Sequence, residues 1–483
     1  MEKQEWVKRI REEVHKQEGT VNSDPYRQAY HLMAPVGLIN DPNGLIKWGE
    51  DYHLFFQWSP FKTGHGTKVW GHYHTKDFVH YTLEEPALVP SEWYDKDGCF
   101  SGSAIEEQGM LHLFYTGHTE ENGEILEEYQ ASAVSEDGRT FRKQEMLLER
   151  PEGITPHFRD PKVWKEGQRW YMVVGAQTEE KRGAVLLYES SDLKQWSYVK
   201  RLAEALQEEG YMWECPDFFR LDGLDILMFS PQGIAPDDIS FQNTYQAGYV
   251  IGRQKGAQWE RGDFRELDRG FEFYAPQTFE ADGRRLMIGW MGVPDQYEEA
   301  HPTLQNQWIH SWTLPRELAW NGERIVQTPI AETKAWRTSE LPVSRTETIE
   351  NDQREVEDIN GRVMEVAIDF EQIGDMWAVE MFHEASLSYK KSRNLLTLSR
   401  PHPEDAEQTQ FRHVQLDKPL KSLHMFFDHS SLEVFVNDGE EVFTSRIFAD
   451  AALTDLAFTS LGASTFHVKK WDLAPVEIES ELS

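Results

Sequence analysis

Five stretches in the first two-thirds of the chain repeat one pattern. Each has a small or polar opening that usually ends in proline, an apolar strand, a turn containing glycine, and a second apolar strand. They are NDPNGLIKWGEDYHLFFQW from Asn40, FSGSAIEEQGMLHLFYTG from Phe100, RDPKVWKEGQRWYMVVGAQ from Arg159, ECPDFFRLDGLDILMFSPQG from Glu214 and YAPQTFEADGRRLMIGWMG from Tyr274. Aligned on Pro42, Gly102, Pro161, Pro216 and Pro276, they recur at intervals of 60, 59, 55 and 60 residues. Each unit reads as a hairpin. In the first three units a Ser/Thr-x-Asp turn before an aromatic follows: TKDFVHY, SEDGRTF and SSDLKQW, with a looser QWERGDF in the fourth. Enough chain remains for four strands per unit, and repeats of this length that are nearly all β predict a five-bladed β-propeller over residues 31–328. The alternative is a β-sandwich whose spacing is coincidental.

In a propeller the innermost strands line a central channel, so equivalent positions at their starts form a ring at one mouth. The alignment puts Asp41, Asp160 and Glu214 near that position, with Phe100 and Ser101 from the second unit and Tyr274 from the fifth. Taken alone, Asn40-Asp41 in GLINDPNG is an ordinary turn. Three acids at one repeat position point to chemistry instead. Two carboxylates flanking a bond, one attacking an anomeric carbon and one donating a proton, are what glycoside hydrolysis needs. Asp41, before a turn rich in backbone N–H groups, suits an ionised nucleophile. Glu214, among Trp213, Cys215 and Phe218, suits a proton donor raised by desolvation. Asp160, beside Arg159, is expected to stay charged and stabilise the transition state. A silent sugar-binding propeller is the rival, although such a protein would have lost one of the acids.

Beyond about residue 321 the pattern changes. IAETKAWR reads as a short helix within a linker at 329–342, and strict alternation follows. In RVMEVAIDF, Met364, Val366, Ile368 and Phe370 share one face while Glu365 and Asp369 point away. SLEVFVNDGEEVFTSRIF is a hairpin turning at Asn437-Asp438-Gly439. A β-sandwich over 343–483 is expected, serving as support, as a carbohydrate contact or as a homodimer surface. Residues 1–30 form an N-terminal helical extension, because MEKQEWVKRIREEVHKQ reads as an amphipathic helix. It has no apolar core of a secretory signal, and no run approaches 18 apolar residues, so a cytoplasmic protein is expected.

Lys and Arg number 49 against 83 Asp and Glu, a formal charge of −34, which disfavours nucleic acid and anionic membranes as partners. It also fits a saline or alkaline habitat. Aromatics at 12% fit β structure and a small-molecule sugar substrate. Cys99 and Cys215 are too few for a disulfide framework or a structural zinc site. His72 and His74 alternate on a strand without a third ligand nearby. No cofactor or metal is expected.

With NSDPYRQAYHLMAPVGLINDPNG, FFQWSPF, WGHY, FSGSA, FRDPKVW, WECPD, LPREL and FVNDGEEVFTSR in this order, essentially the whole chain resembles glycoside hydrolase family 32. This is the invertase and fructan-hydrolase group, and the likeness is greatest to its bacterial members acting on sucrose 6-phosphate. The resemblance implies a five-bladed propeller with a C-terminal sandwich. It also implies a retaining β-fructofuranosidase acting on sucrose or sucrose 6-phosphate through a covalent fructosyl-enzyme, or alternatively a fructan hydrolase. It makes Asp41 the nucleophile, Asp160 the transition-state stabiliser and Glu214 the general acid/base, with the carboxyls of Asp41 and Glu214 roughly 5–5.5 Å apart. Asn40, Gln57, Trp70, Phe100, Ser101 and Arg159 are expected to line the fructose pocket. Cys215 would tune the acid, and Tyr274 stands at the fifth opening. Leu38 and Ile39, also expected at the sugar, replace the Trp-Met of many relatives. Lys62, His65 and Lys68 are candidates to meet a 6-phosphate.

Overall fold

The computed structural model describes residues 2–206, 208–255 and 258–482. Every repeat opens with a hairpin: Gly37–Trp48 with Asp51–Ser59, Gly98–Glu107 with Met110–Glu121, Ile154–Glu166 with Arg169–Thr178, Met212–Leu221 with Leu224–Gln232, and Tyr274–Ala281 with Arg284–Met291. All five connecting loops are two residues long, which explains the repeated glycine. Gln108-Gly109, Asp222-Gly223 and Asp282-Gly283 hold both residues at positive φ, and Gly49 and Gly167 do so at the first position. Such mirror-image turns match the right-handed twist of the flanking strands.

The Ser/Thr-x-Asp signature marks the turn after a third strand. In TKDFVHY the Thr75 hydroxyl accepts from the backbone N–H groups of Asp77 and Phe78, and Asp77 Oδ1 accepts from those of Val79 and His80. Ser135 with Asp137, and Ser190 with Asp192, repeat the arrangement. The capped turn holds buried Phe78 and Leu193 at positive φ, where a side chain is strained.

Among the described residues the chain is all-β apart from one long helix and short 3₁₀ segments, and its small sheets take a propeller arrangement. The opening strands of the five repeats touch in cyclic order, the fifth packing back on the first. Trp308–Ile309 pairs in parallel with the start of Gly37–Trp48, and Glu477–Ser480 pairs with His80–Leu83 on the outer edge of the same sheet. The first sheet is thus built from three separate parts of the chain.

The last third is one ten-stranded sheet folded into a sandwich-like unit. Its spine is the long pair Val343–Glu355 and Leu456–Asp472. Along its other edge, Leu456–Asp472 pairs first with Met376–Met381 and then with Met364–Gln372. The change of partner falls at Gly462, whose N–H is held by Asn351 Oδ1 at 2.8 Å opposite a register slip. The Asn437-Asp438-Gly439 turn forms as expected. Gly439 is required there, since a Cβ would lie 1.8 Å from the Gln327 carbonyl oxygen.

Three local readings change. Glu365 is 2% exposed rather than solvent-facing, because Arg337 and His424 bond its carboxylate. The linker segment Ala331–Trp336 is a 3₁₀ helix, anchored by the Trp336 indole on the Phe78 carbonyl. The N-terminal helix, Lys3–Asn22, packs Trp6, Ile10, Val14 and Val21 inward and stops before residues 23–30. There the backbone N–H groups of Ala29, Tyr30 and His31 bond Asp428 of the last third instead. Among the described residues no helix is long and apolar enough to cross a membrane.

Candidate active site

All five opening strands carry a bulge at the same repeat position. Asn40 and Asp41 together face Gln57, and Ser101 is the extra residue between the pairs Phe100–Thr116 and Gly102–Tyr115. Asp160-Pro161 face Val174, Cys215-Pro216 face Phe229, and Ala275-Pro276 face Gly289. Asp160, Cys215 and Ala275, each just before its proline, have φ of +68°, +48° and +45°. A bulge breaks strand alternation and re-aims side chains. Consecutive residues therefore reach the same space: Asn40 with Asp41, Phe100 with Ser101, and Arg159 with Asp160 all line one cavity of about 530 Å³, together with Glu214 and Tyr274. In strict register Glu214 matches Arg159 and Tyr274, while Cys215 holds the place of Asp41 and Asp160.

The acids are joined by short contacts. Asp41 Oδ2 accepts from the Ser101 hydroxyl at 2.6 Å, and Oδ1 from the Asn40 amide at 3.1 Å. The Cys215 thiol lies 3.5 Å from Asp41 Oδ2 and 3.6 Å from Asp160 Oδ2, and the Cys215 N–H donates to Asp160 Oδ2 at 2.9 Å. Glu214 Oε1 accepts from Arg159 Nε and Nη2 at 3.0 and 2.8 Å. Its Oε2 accepts from Gln232 at 2.8 Å and the Tyr274 hydroxyl at 2.6 Å. Arg159 is held from behind by Glu128 at 3.1 Å.

This pairing corrects the expected electrostatics. The Arg159 guanidinium bonds Glu214, not its sequence neighbour Asp160. Burial pushes the Asp160 carboxyl up to about 8, against the pull of Arg159 and with the repulsion of Glu214 and Asp41. Burial also raises Asp41; the Ser101 hydrogen bond opposes this and the Glu214 charge adds to it. Asp41 and Asp160, both buried and both beside the Glu214 carboxyl, cannot ionise together cheaply.

Of the other expected residues, Gln57 lines the cavity. Trp70 does not; it is buried and its indole donates to the Phe100 carbonyl at 2.9 Å. Leu38 and Ile39 are fully buried, Ile39 within the core of the first repeat, and neither lines the cavity. Cys215 sits behind the wall, between two carboxylates. Lys62, His65 and Lys68 all line the cavity. Gln232, His118 and Trp290 also line it and were missed. His118 stacks on Phe100 at 4.0 Å between ring centroids. Gln232 was findable: Glu214 pairs with Ser230, and Gln232 is the next residue on that face.

A profile of the glycosyl hydrolases family 32 N-terminal domain matches residues 31–329, and one of the family 32 C-terminal domain matches residues 332–473. The chain belongs to glycosyl hydrolases family 32. This family 32 chain is 44% identical to the sucrose-6-phosphate hydrolase of Bacillus subtilis, over 97% of this chain and 99% of the relative. It is 38% identical to that of Escherichia coli, over 92% and 94%. The structure of sucrose-6-phosphate hydrolase from Lactobacillus gasseri superposes with a TM-score of 0.85 at 28% identity, over 96% of both chains. A Bombyx mori family 32 β-fructofuranosidase gives 0.84 at 30%, over 99% of both. The protein is accordingly a glycoside hydrolase of the β-fructofuranosidase type.

Proposed function

We propose that this family 32 member is a retaining β-fructofuranosidase that hydrolyses sucrose 6-phosphate, and sucrose less readily, inside the cell. In this reading Asp41 attacks the anomeric carbon of the fructosyl unit while Glu214 protonates the departing oxygen. Glu214 then draws a proton from water, which releases fructose from the Asp41 ester. Asp160 bonds sugar hydroxyls and, in its ionised form, steadies the positive charge that develops on the ring. Arg159 must loosen its grip on Glu214 Oε1 for that carboxyl to hold a proton, and a substrate hydroxyl taking up the guanidinium supplies the exchange.

The observation carrying this reading is the meeting of Asp41, Asp160 and Glu214 on one cavity, with Cys215 between the first two and Arg159 bonded to the third. The phosphate preference draws on the names of the relatives and on two basic residues of the same wall. Lys62 and His65 are exposed, the His65 ring lying 3.3 Å from Glu298. We also read each hairpin-based sheet as one blade of five. Residues 31–328 would then form the propeller, and 343–483 a sandwich that supports it.

The test compares kcat/KM for sucrose, sucrose 6-phosphate and inulin, with Asp41→Ala as control. The phosphorylated sugar should lead, and Asp41→Ala should lose about 10³-fold or more while staying folded. Inulin leading would assign a fructan hydrolase. An active Asp41→Ala variant would remove the proposed nucleophile.

A further inference from the structure

Lys68 is a buried cation on the wall of the catalytic cavity, only 3% exposed. An ammonium group so far from water is costly to keep there unless it holds something in place. Its main chain is pinned to the second repeat, where the Lys68 carbonyl accepts from the Cys99 N–H at 3.0 Å beside a bridge to Gly98. Its side chain reaches the opening strand of its own repeat, where Nζ donates to Asn40 Oδ1 at 2.9 Å. Lys68 thus differs from Lys62 and His65, the more exposed basic residues of the same wall.

The receiving amide is the one that serves Asp41. Asn40 Nδ2 donates to Asp41 Oδ1 at 3.1 Å, and the Asn40 backbone carbonyl is fixed by the Trp312 indole at 2.7 Å. A side-chain amide can present oxygen or nitrogen to a neighbour by a half-turn. An ammonium group can only donate. With Lys68 in place, Asn40 must keep Oδ1 toward the lysine and its NH₂ toward the carboxylate. The reverse orientation would set oxygen against oxygen and N–H against N–H.

We propose that Lys68 is a positioning residue of this glycosidase, locking the Asn40 amide so that it donates to Asp41 and keeps that carboxylate poised for attack. The inference rests on Asp41 being the nucleophile. The groups facing Asp41 are Ser101, Asn40, Cys215, Glu214, Asp160 and Lys68. Glu214 and Asp160 favour its protonated form and Lys68 its ionised form. Arg159 is engaged with Glu214 and Glu128. Lys68 has its own proton affinity lowered to about 7 by burial, so its charge is present below that pH.

The test uses the full chain with Lys68→Met, which removes donor and charge at nearly constant length, and Lys68→Gln, which keeps a donor. For Lys68→Met, kcat should fall about 10-fold or more while KM stays within about 3-fold. The acid limb of its kcat profile should move to higher pH. For Lys68→Gln, most of kcat should return at the optimum with the acid limb still displaced. Ethylammonium added to Lys68→Ala should restore part of the lost kcat. A wild-type acid limb in folded Lys68→Met or Lys68→Gln overturns the proposal. So does a loss confined to KM for sucrose 6-phosphate, which would make Lys68 a phosphate contact. Asp41→Ala separates the two levels: if it stays active, the nucleophile assignment fails, and if it is inactive, only the Lys68 result decides.

Discussion

Replacing Arg316 with Met should loosen the junction between the repeats and the last third. Arg316, in the LPREL segment, is fully buried, and its guanidinium makes five hydrogen bonds. It reaches Asp268 and Gln327 within the repeat region, and Glu433 and Thr444 in the C-terminal sheet. Glu433 also takes the His31 ring at 3.0 Å and the Leu314 N–H at 2.6 Å. Methionine fills much of the arginine stem, so the cost is electrostatic rather than a cavity. Removing one partner of a buried ion pair costs about 3–5 kcal/mol, a large share of the roughly 5–15 kcal/mol that holds a typical protein folded. The loss should depend on pH. Without the arginine, Asp268 and Glu433 take up protons more readily when folded than when unfolded. Acidification then favours the folded variant, so the deficit shrinks as pH falls. Urea unfolding followed by tryptophan fluorescence, at about pH 8 and about pH 5.5, reads both quantities. A deficit below about 1 kcal/mol, or one equal at the two pH values, would refute the reasoning.

Asp160→Asn should abolish turnover yet raise Tm, and more so at alkaline pH. A carboxyl whose folded value is near 8 binds its proton more tightly folded than unfolded, so wild-type stability is lost as pH rises toward that value; equal Tm values across pH would count against the buried acid. Glu214→Gln should slow substrates with poor leaving groups more than activated aryl fructosides, and uniform slowing would remove it as proton donor. Lys62→Met should lower kcat/KM for sucrose 6-phosphate relative to sucrose by about 10-fold, and an unchanged ratio would place the phosphate elsewhere.

The site was legible in the sequence to the extent that it repeats. Asp41, Asp160 and Glu214 could be placed together because each opens a unit of the same length, and the two-residue glycine turns and Asp-capped turns are local chemistry. Their partners were not legible. Arg159 reads as the neighbour of Asp160, but the bulge sends the adjacent side chains into the same recess, and the guanidinium finds Glu214, 55 residues on. Leu38 and Ile39 read as flanking the site, yet they precede the bulge and remain core.

The linear chain by itself determined the repeats, their turns and the acids that open them, because backbone twist, glycine torsion and side-chain caps act over a few residues. Only the tertiary structure decided which acid receives the arginine, that Glu365 is buried under Arg337, and that Lys68 steers Asn40. Those outcomes depend on charges brought together from distant segments in a space closed to water, where a single donor or cation outweighs any preference written along the strand.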